Sequence, residues 1–245
     1  NAVRAVTESA VLYALRLLLP EETPANDGCL SALTLLTRPG SVVDAQAPRA
    51  VAAGNTETAQ RIVDVVLGAL GRALPERLPA ASCGSMNSVL LGAPGFVYYE
   101  TLAGGAGASA RQAGASAIHT HMTNTRNTPV EALEHAAPLR VRRYAVREGS
   151  GGNGVHPGGD GVVRELELLD DLTVTLVGDR RRHPPYGLFG GGPGARGEDT
   201  LTRSGVVHRL PGKVTLDGQR GDILTLATPG GGGWKDPRGT YSWLP

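Results

Sequence analysis

Six runs of strand length follow one another from Leu139 to the end of the chain, at 139–146, 162–169, 173–177, 206–210, 213–216 and 223–227, separated by glycine- and aspartate-rich turns. An antiparallel sandwich or barrel fits that succession best. The first part reads differently. Val3, Val6, Ala10, Tyr13 and Leu17 recur at helical spacing until Pro20, and Ala59, Ile62, Val63, Val66, Leu67, Leu70 and Leu74 form a broad apolar stripe with Asn55 as its N-cap and Pro75 as its end. Strands are expected at 30–37, before the Pro39-Gly40 turn, and at 96–101, and a short helix from Pro129 to Glu134. The expected fold is α+β: two amino-terminal helices with a mixed sheet over 1–138, then a mainly antiparallel β sandwich or barrel over 139–245, which one continuous domain could contain. No fixed-period repeat is present, so solenoids and propellers fall away.

The 35 glycines and 17 prolines, against 4% aromatics, mean that backbone geometry rather than large side chains sets many positions. Twenty-four basic residues against 23 acidic ones give no field to attract nucleic acid or a lipid surface. Cys29 and Cys83 make no disulfide framework, no stretch is long enough to span a bilayer, and no leader is seen, so the expected location is cytoplasmic. Asn1 is not an initiator, and the chain reads as a fragment.

The residues with chemistry concentrate in His119-Thr120-His121-Met122-Thr123-Asn124-Thr125-Arg126-Asn127-Thr128, which follows the small, flexible 104–110 stretch. Such a run presents hydrogen-bonding groups to something outside itself. On an extended segment His119 and His121 would place both imidazoles on one face, as a proton-transfer pair or a shared metal needs, with Glu100 and Asn124 as further groups. A structural histidine satisfied by its neighbours is the plainer reading of either ring, and bonding to the loop's own backbone that of Asn124 and Arg126.

Other motifs are weaker. Gly149-Ser150-Gly151-Gly152-Asn153-Gly154 satisfies G-x-G-x-x-G, but Pro157 and a strand follow where a phosphate-holding helix would start, so a turn is expected. Gly230-Gly231-Gly232-Gly233-Trp234 lacks a phosphate-loop lysine and reads as backbone passing tightly against Trp234. Cys83 is expected to be a buried small hydrophobe rather than a nucleophile. Arg180-Arg181-Arg182-His183-Pro184-Pro185 could anchor a carboxylate, a phosphate or a partner subunit, or be a solvated charge run.

Ala10-Val11-Leu12-Tyr13-Ala14-Leu15-Arg16, the 53–64 run from Ala53-Gly54-Asn55 to Val63-Asp64, Tyr98-Tyr99-Glu100-Thr101, the histidine loop, Gly158-Gly159-Asp160-Gly161, Asp179-Arg180-Arg181 and Thr228-Pro229-Gly230-Gly231-Gly232-Gly233-Trp234 together resemble the B-subunit proteins of ATP-dependent hydantoinases and 5-oxoprolinases, in their carboxy-terminal half. The same family includes the related subunit of acetone-type carboxylases. The resemblance implies hydrolytic opening of a cyclic amide such as a hydantoin, 5-oxoproline or another lactam, by an enzyme active in complex with its partner chains. ATP with Mg would lie on an actin-like A-type subunit, and a divalent metal in the amino-terminal half of the B subunit, not in this chain. Phosphorylating a resonance-stabilised lactam oxygen would make it a good electrophile for water. On this reading His119, His121, Asn124 and Glu100 are catalytic, with His121 or Asn124 holding a developing oxyanion, while Thr123, Arg126 and Arg181 bind substrate. Ala137 and Tyr186 depart from the aromatic and the Trp usual in the family, which bears on pocket shape. The alternatives are an acetone-carboxylase-type subunit, and a non-catalytic scaffold docking the A subunit through 180–188.

Overall fold

The computed structural model describes residues 1–31 and 33–239. Helix α1 spans Arg4–Arg16 and α2 spans Ala59–Gly71, the latter entered through a π turn at Gly54–Thr58. The two helices pack on each other, with Ala10 and Ala14 of α1 and Ala59, Val63 and Leu67 of α2 in one buried cluster. Asn55 lies inside the π turn and caps nothing; the residue before α2 is Thr58, whose side chain makes no capping bond.

Nine strands follow among the described residues: β1 Ser88–Ala93, β2 Phe96–Thr101, β3 Leu139–Arg147, β4 Gly161–Leu168, β5 Leu172–Val177, β6 Glu198–Arg203, β7 Val206–Leu210, β8 Lys213–Gly218 and β9 Ile223–Ala227. A short helix, α3, at Val130–Ala136 precedes β3. One sheet orders its strands β2-β1-β5-β8 and the other β3-β4-β9-β6-β7, with every ladder antiparallel. The facing sides meet in one core containing Val89, Leu91, Val174 and Leu176 from the first sheet and Leu139, Leu166, Leu224 and Leu226 from the second. The α+β class and the antiparallel sandwich are as expected; the sheet of the first segment is antiparallel rather than mixed, and strands from both sides of Pro138 share it.

Two strands escaped the sequence reading. Strand β6 carries Asp199 on its inward face, so its alternation looks polar, and Ser88–Ala93 follows a polar stretch that hides its start. The strand expected at 30–37 is not formed: Leu30 closes a 3-10 turn begun at Asp27, residues 33–38 join no ladder, and position 32 lies outside the described residues.

A third packing unit is built almost without side chains. Passages at 104–108, 150–159, 187–194 and 229–234 cross one another and exchange backbone hydrogen bonds, among them Gly105 N to Pro229 O, Gly152 N to Gly231 O, Gly231 N to Gly159 O and Gly159 N to Ala106 O, at 2.8–3.0 Å. A Cβ on Gly231 would overlap the Ala106 carbonyl, and one on Gly159 the Ala115 carbonyl. Trp234 seals the unit, stacked on Phe189 with centroids 5.5 Å apart and donating its indole N–H to Pro75 O at 3.1 Å. The run after Pro229 is thus the tight backbone pass that its composition implied; of the 149–154 motif, Gly149 at φ +75° lies in the turn closed by Ser150 N donating to Arg147 O, and the rest runs into the glycine unit. Gly231→Ala is expected to cost about 3 kcal/mol or more or to prevent folding. Gly92→Ala, whose Cβ would stand 3.5 Å from its nearest neighbour, should stay within about 1 kcal/mol of the parent, both read by denaturant unfolding midpoints.

Candidate functional site

The glycine unit fixes where the histidine loop begins: Ile118 and Gly104 exchange both backbone hydrogen bonds, and Ala117 N donates to Asp160 O. The loop then runs along α2. Gln60, fully buried, donates to Thr120 O at 3.0 Å, and Met122 packs on the core between the two helices.

His121 has φ +57°, a left-handed conformation that a non-glycine residue adopts only when its surroundings hold it there. That turn breaks the alternation expected of an extended segment, so the two imidazoles do not share a face. The His121 side chain, 6% exposed, enters the space between Tyr13, whose ring meets it edge-on with centroids 5.7 Å apart, and Asp64. His119 instead lies against Thr123 Oγ1 at 3.3 Å from Nδ1 and Thr125 Oγ1 at 3.1 Å from Nε2. Burial lowers the pKa of both rings, opposed by Glu100 for His119 and by Asp64 for His121, so both imidazoles are neutral near pH 7 and available to accept a proton.

Asp64 is the centre of the His121 side. Its Oδ2 accepts from Arg180 Nη2 at 2.7 Å and Arg61 Nη1 at 2.8 Å, and its backbone carbonyl accepts from the Tyr186 hydroxyl at 2.7 Å. Its Oδ1 stands 3.8 Å from His121 Nε2, too far for a direct hydrogen bond, and neither atom has a hydrogen-bond partner among the described residues. Two buried polar atoms left facing each other across such a gap are unusual, and a proton-exchanging group placed between them would satisfy both. One turn earlier on α2 lies Gln60, and Glu57 lies in the π turn that leads into the helix. Burial and the neighbouring Asp179 push the Glu57 carboxyl up to about 7, against hydrogen bonds from Ser85 and the Met86 amide.

On the other side of the loop, Glu100 lies buried near the end of β2. Its Oε1 accepts from Thr128 N at 3.2 Å, and its Oε2 is 3.2 Å from Nη2 of Arg164, which is wholly buried. The Arg164 guanidinium lies 4.7 Å from the centroid of the Tyr144 ring, and the Tyr144 hydroxyl donates to Asn127 Oδ1. Asn127 donates to Thr101 O at 2.9 Å. Glu100 therefore holds the loop's far end by accepting from the Thr128 amide, while its other oxygen pairs with Arg164; Thr123 is buried beneath His119, and Asn124 and Arg126 are exposed at the tip.

Arg181 stands apart from this group. Its Nε and Nη2 form a two-pronged pair with Asp199 at 2.9 Å each, and its Nη1 donates to Asn87 Oδ1 and Asp179 O. Cys83 is buried, and burial pushes its thiol up, as befits a packed sulfur. Among the described residues no three His, Cys, Asp or Glu side chains gather as a metal site would require. No described helix is long and apolar enough to cross a membrane.

Asp64, Gln60, Glu57 and Arg164 were not singled out as site residues from the sequence, whereas Arg180 belongs to the arginine run expected to anchor a carboxylate and does pair with one, Asp64. Arg164 was the readable one: it occupies the inward face of β4 together with Val162, Leu166 and Leu168, where a lone arginine signals a buried partner.

The chain matches the family model described as hydantoinase B/oxoprolinase over residues 1–237. It is 43% identical to 5-oxoprolinase 1 of Arabidopsis thaliana over 235 residues, covering 96% of this chain and 18% of that protein. Among solved structures it is similar to an ATP-dependent caprolactamase from Pseudomonas jessenii, with a TM-score of 0.81 and 26% identity, over 95% of this chain and 43% of that one. It shares its fold with part of an acetone carboxylase, with a TM-score of 0.56 and 20% identity, over 70% of this chain and 28% of that one.

Glu57 makes stability depend on pH. Its folded value, about 7, lies above its ordinary 4.5, so the native state holds the proton more tightly; the contribution is whole below about 4.5 and is lost as pH rises through about 7. Glu57→Gln should remove a loss on the order of 3 kcal/mol across that window, seen as a gap between variant and parent unfolding midpoints that widens from acid to neutral pH.

Proposed function

The chain belongs to the hydantoinase B/oxoprolinase family, and from that membership we propose that it is part of the B component of an ATP-dependent enzyme that hydrolytically opens a cyclic amide, a hydantoin, 5-oxoproline or related lactam. The buried, unpartnered pair of Asp64 Oδ1 and His121 Nε2 carries this reading, because it is a proton-handling pair held ready beside a polar loop. In it, neutral His121 takes a proton from the attacking water, and the Asp64 carboxylate stabilises the imidazolium that results. A cleft of about 810 Å³ between α2 and 186–191, lined by Asp64, Gly68, Tyr186 and Leu188, gives room for a small ring. Asn124 and Arg126, exposed on the loop, carry donors suited to a carbonyl or carboxylate. His119, fixed by Thr123 and Thr125 beside Glu100, is a second proton acceptor or a support for the loop.

The nucleotide with its Mg, and any divalent metal, belong to other parts of the enzyme: an A-type ATP-binding subunit and the remainder of the B component. The chain's small share of its relatives' length is consistent with such partners.

In the assembled enzyme supplied with ATP and 5-oxoproline, His121→Ala is expected to lower turnover by roughly a hundredfold or more while native mass spectrometry shows assembly unchanged. Full turnover in that variant would move the chemistry off this loop and leave the chain a scaffold. ATP consumption that requires bicarbonate and a ketone, without hydrolysis of any cyclic amide, would make it a carboxylase component.

A further inference from the structure

Sharing Arg61 and Arg180 with the group around Asp64, the bend at 178–183 and the turn at 211–213 enclose a second cleft, of about 430 Å³. Arg61, Arg180, Arg181, Arg182 and Lys213 line it, with His183 beside them. The carboxylates paired with these cations are Asp64, Asp179 and Asp199. Five cations against three carboxylates leave an excess of two positive charges in one cleft, in a chain whose whole balance is +1. The excess is accessible. The Arg182 side chain is exposed and makes no ion pair or hydrogen bond among the described residues, and Arg61 commits only Nη1.

The backbone adds donors. Arg180 has φ +61°, and the amides of Arg181, Arg182 and His183 after it donate to no acceptor among the described residues. Successive free amides at such a bend form an anion-binding concavity. The bend is also rigid: Arg181 ties it to Asp199 and Asn87, and Arg180 Nη1 donates to Pro184 O at 2.9 Å. Donors held in place before a ligand arrives lose little freedom on binding it.

We propose that this cleft binds a phosphate group as its dianion, seated between Arg182, Lys213 and the 181–183 amides. A dianion matches the excess of two charges, and a tetrahedral oxyanion can take donors from several directions where a planar carboxylate takes one fork. The choice of phosphate among oxyanions rests on the ATP-coupled reading above; the capture of a dianion does not. The phosphate is either free orthophosphate or the end of a larger phosphorylated molecule.

Calorimetric titration of the chain with orthophosphate near neutral pH, at low and matched ionic strength, tests this. One-site saturable binding is expected, weakened roughly tenfold in Arg182→Ala and likewise in Lys213→Ala, and unchanged in Arg142→Ala on β3. Pyrophosphate binding tighter than orthophosphate would assign the cleft to a larger phosphorylated molecule, and the reverse order to free phosphate. An absence of saturable heat, indifference to both cleft variants, or acetate binding as strongly would overturn the proposal. Binding is read without turnover, so loss of the hydrolase reading would leave this result standing.

Discussion

Direct packing of backbone on backbone is the constraint from which the rest of this molecule follows. Where the passages around Gly105, Gly159 and Gly231 cross, peptide groups lie so close that no side chain fits between them, and each satisfies its hydrogen bonds on the next. The unit holds Ala117 and Ile118, just before the histidine loop, through Asp160 and Gly104, and it brings the 187–191 passage against α2. A core of large side chains tolerates small adjustments of volume; crossing backbones tolerate none. The loop therefore starts from a fixed point.

The loop hangs between two buried charged groups. On one side Asp64 gathers Arg61, Arg180 and Tyr186; on the other Glu100 pairs with Arg164 beneath Tyr144. Burying charge in this way adds little to stability beyond what apolar residues would give, yet removing one partner leaves the other stranded. Such groups define where their neighbours stand. Here they set the field at His121 and His119, whose burial keeps both rings neutral while the two carboxylates favour the proton once it arrives.

Much of the architecture was legible. The strand spacing beyond Leu139 and the apolar stripe of α2 gave the sandwich and the helix directly, because both periods express which face is buried. Strand β6 was hidden because its inward residue is Asp199, a charge whose partner Arg181 comes from 18 residues earlier. The loop's polarity was visible, but its geometry was not: His121 is left-handed, with Gln60 bonded to Thr120 O before it and Tyr13 and Asp64 about its ring, which no local pattern states. Asp64 and Gln60 sat inside an apolar helix as polar interruptions, and only the packing of α2 against the loop gives them meaning.

The shared sheet and the crossing glycines also govern the order in which this chain can be completed. Strand β1 has its second neighbour only when β5 exists, and Gly105 gains its acceptor only when Pro229 has been made. A ribosome delivers the histidine loop about a hundred residues before the passage that fixes its base. Until then the polar loop and the edge of β1 are unpaired, and contacts of such long sequence separation form slowly. The histidine loop thus lies in the middle of the chain by position yet is among the last parts to be fixed, its base set only when the carboxy-terminal glycines close over it.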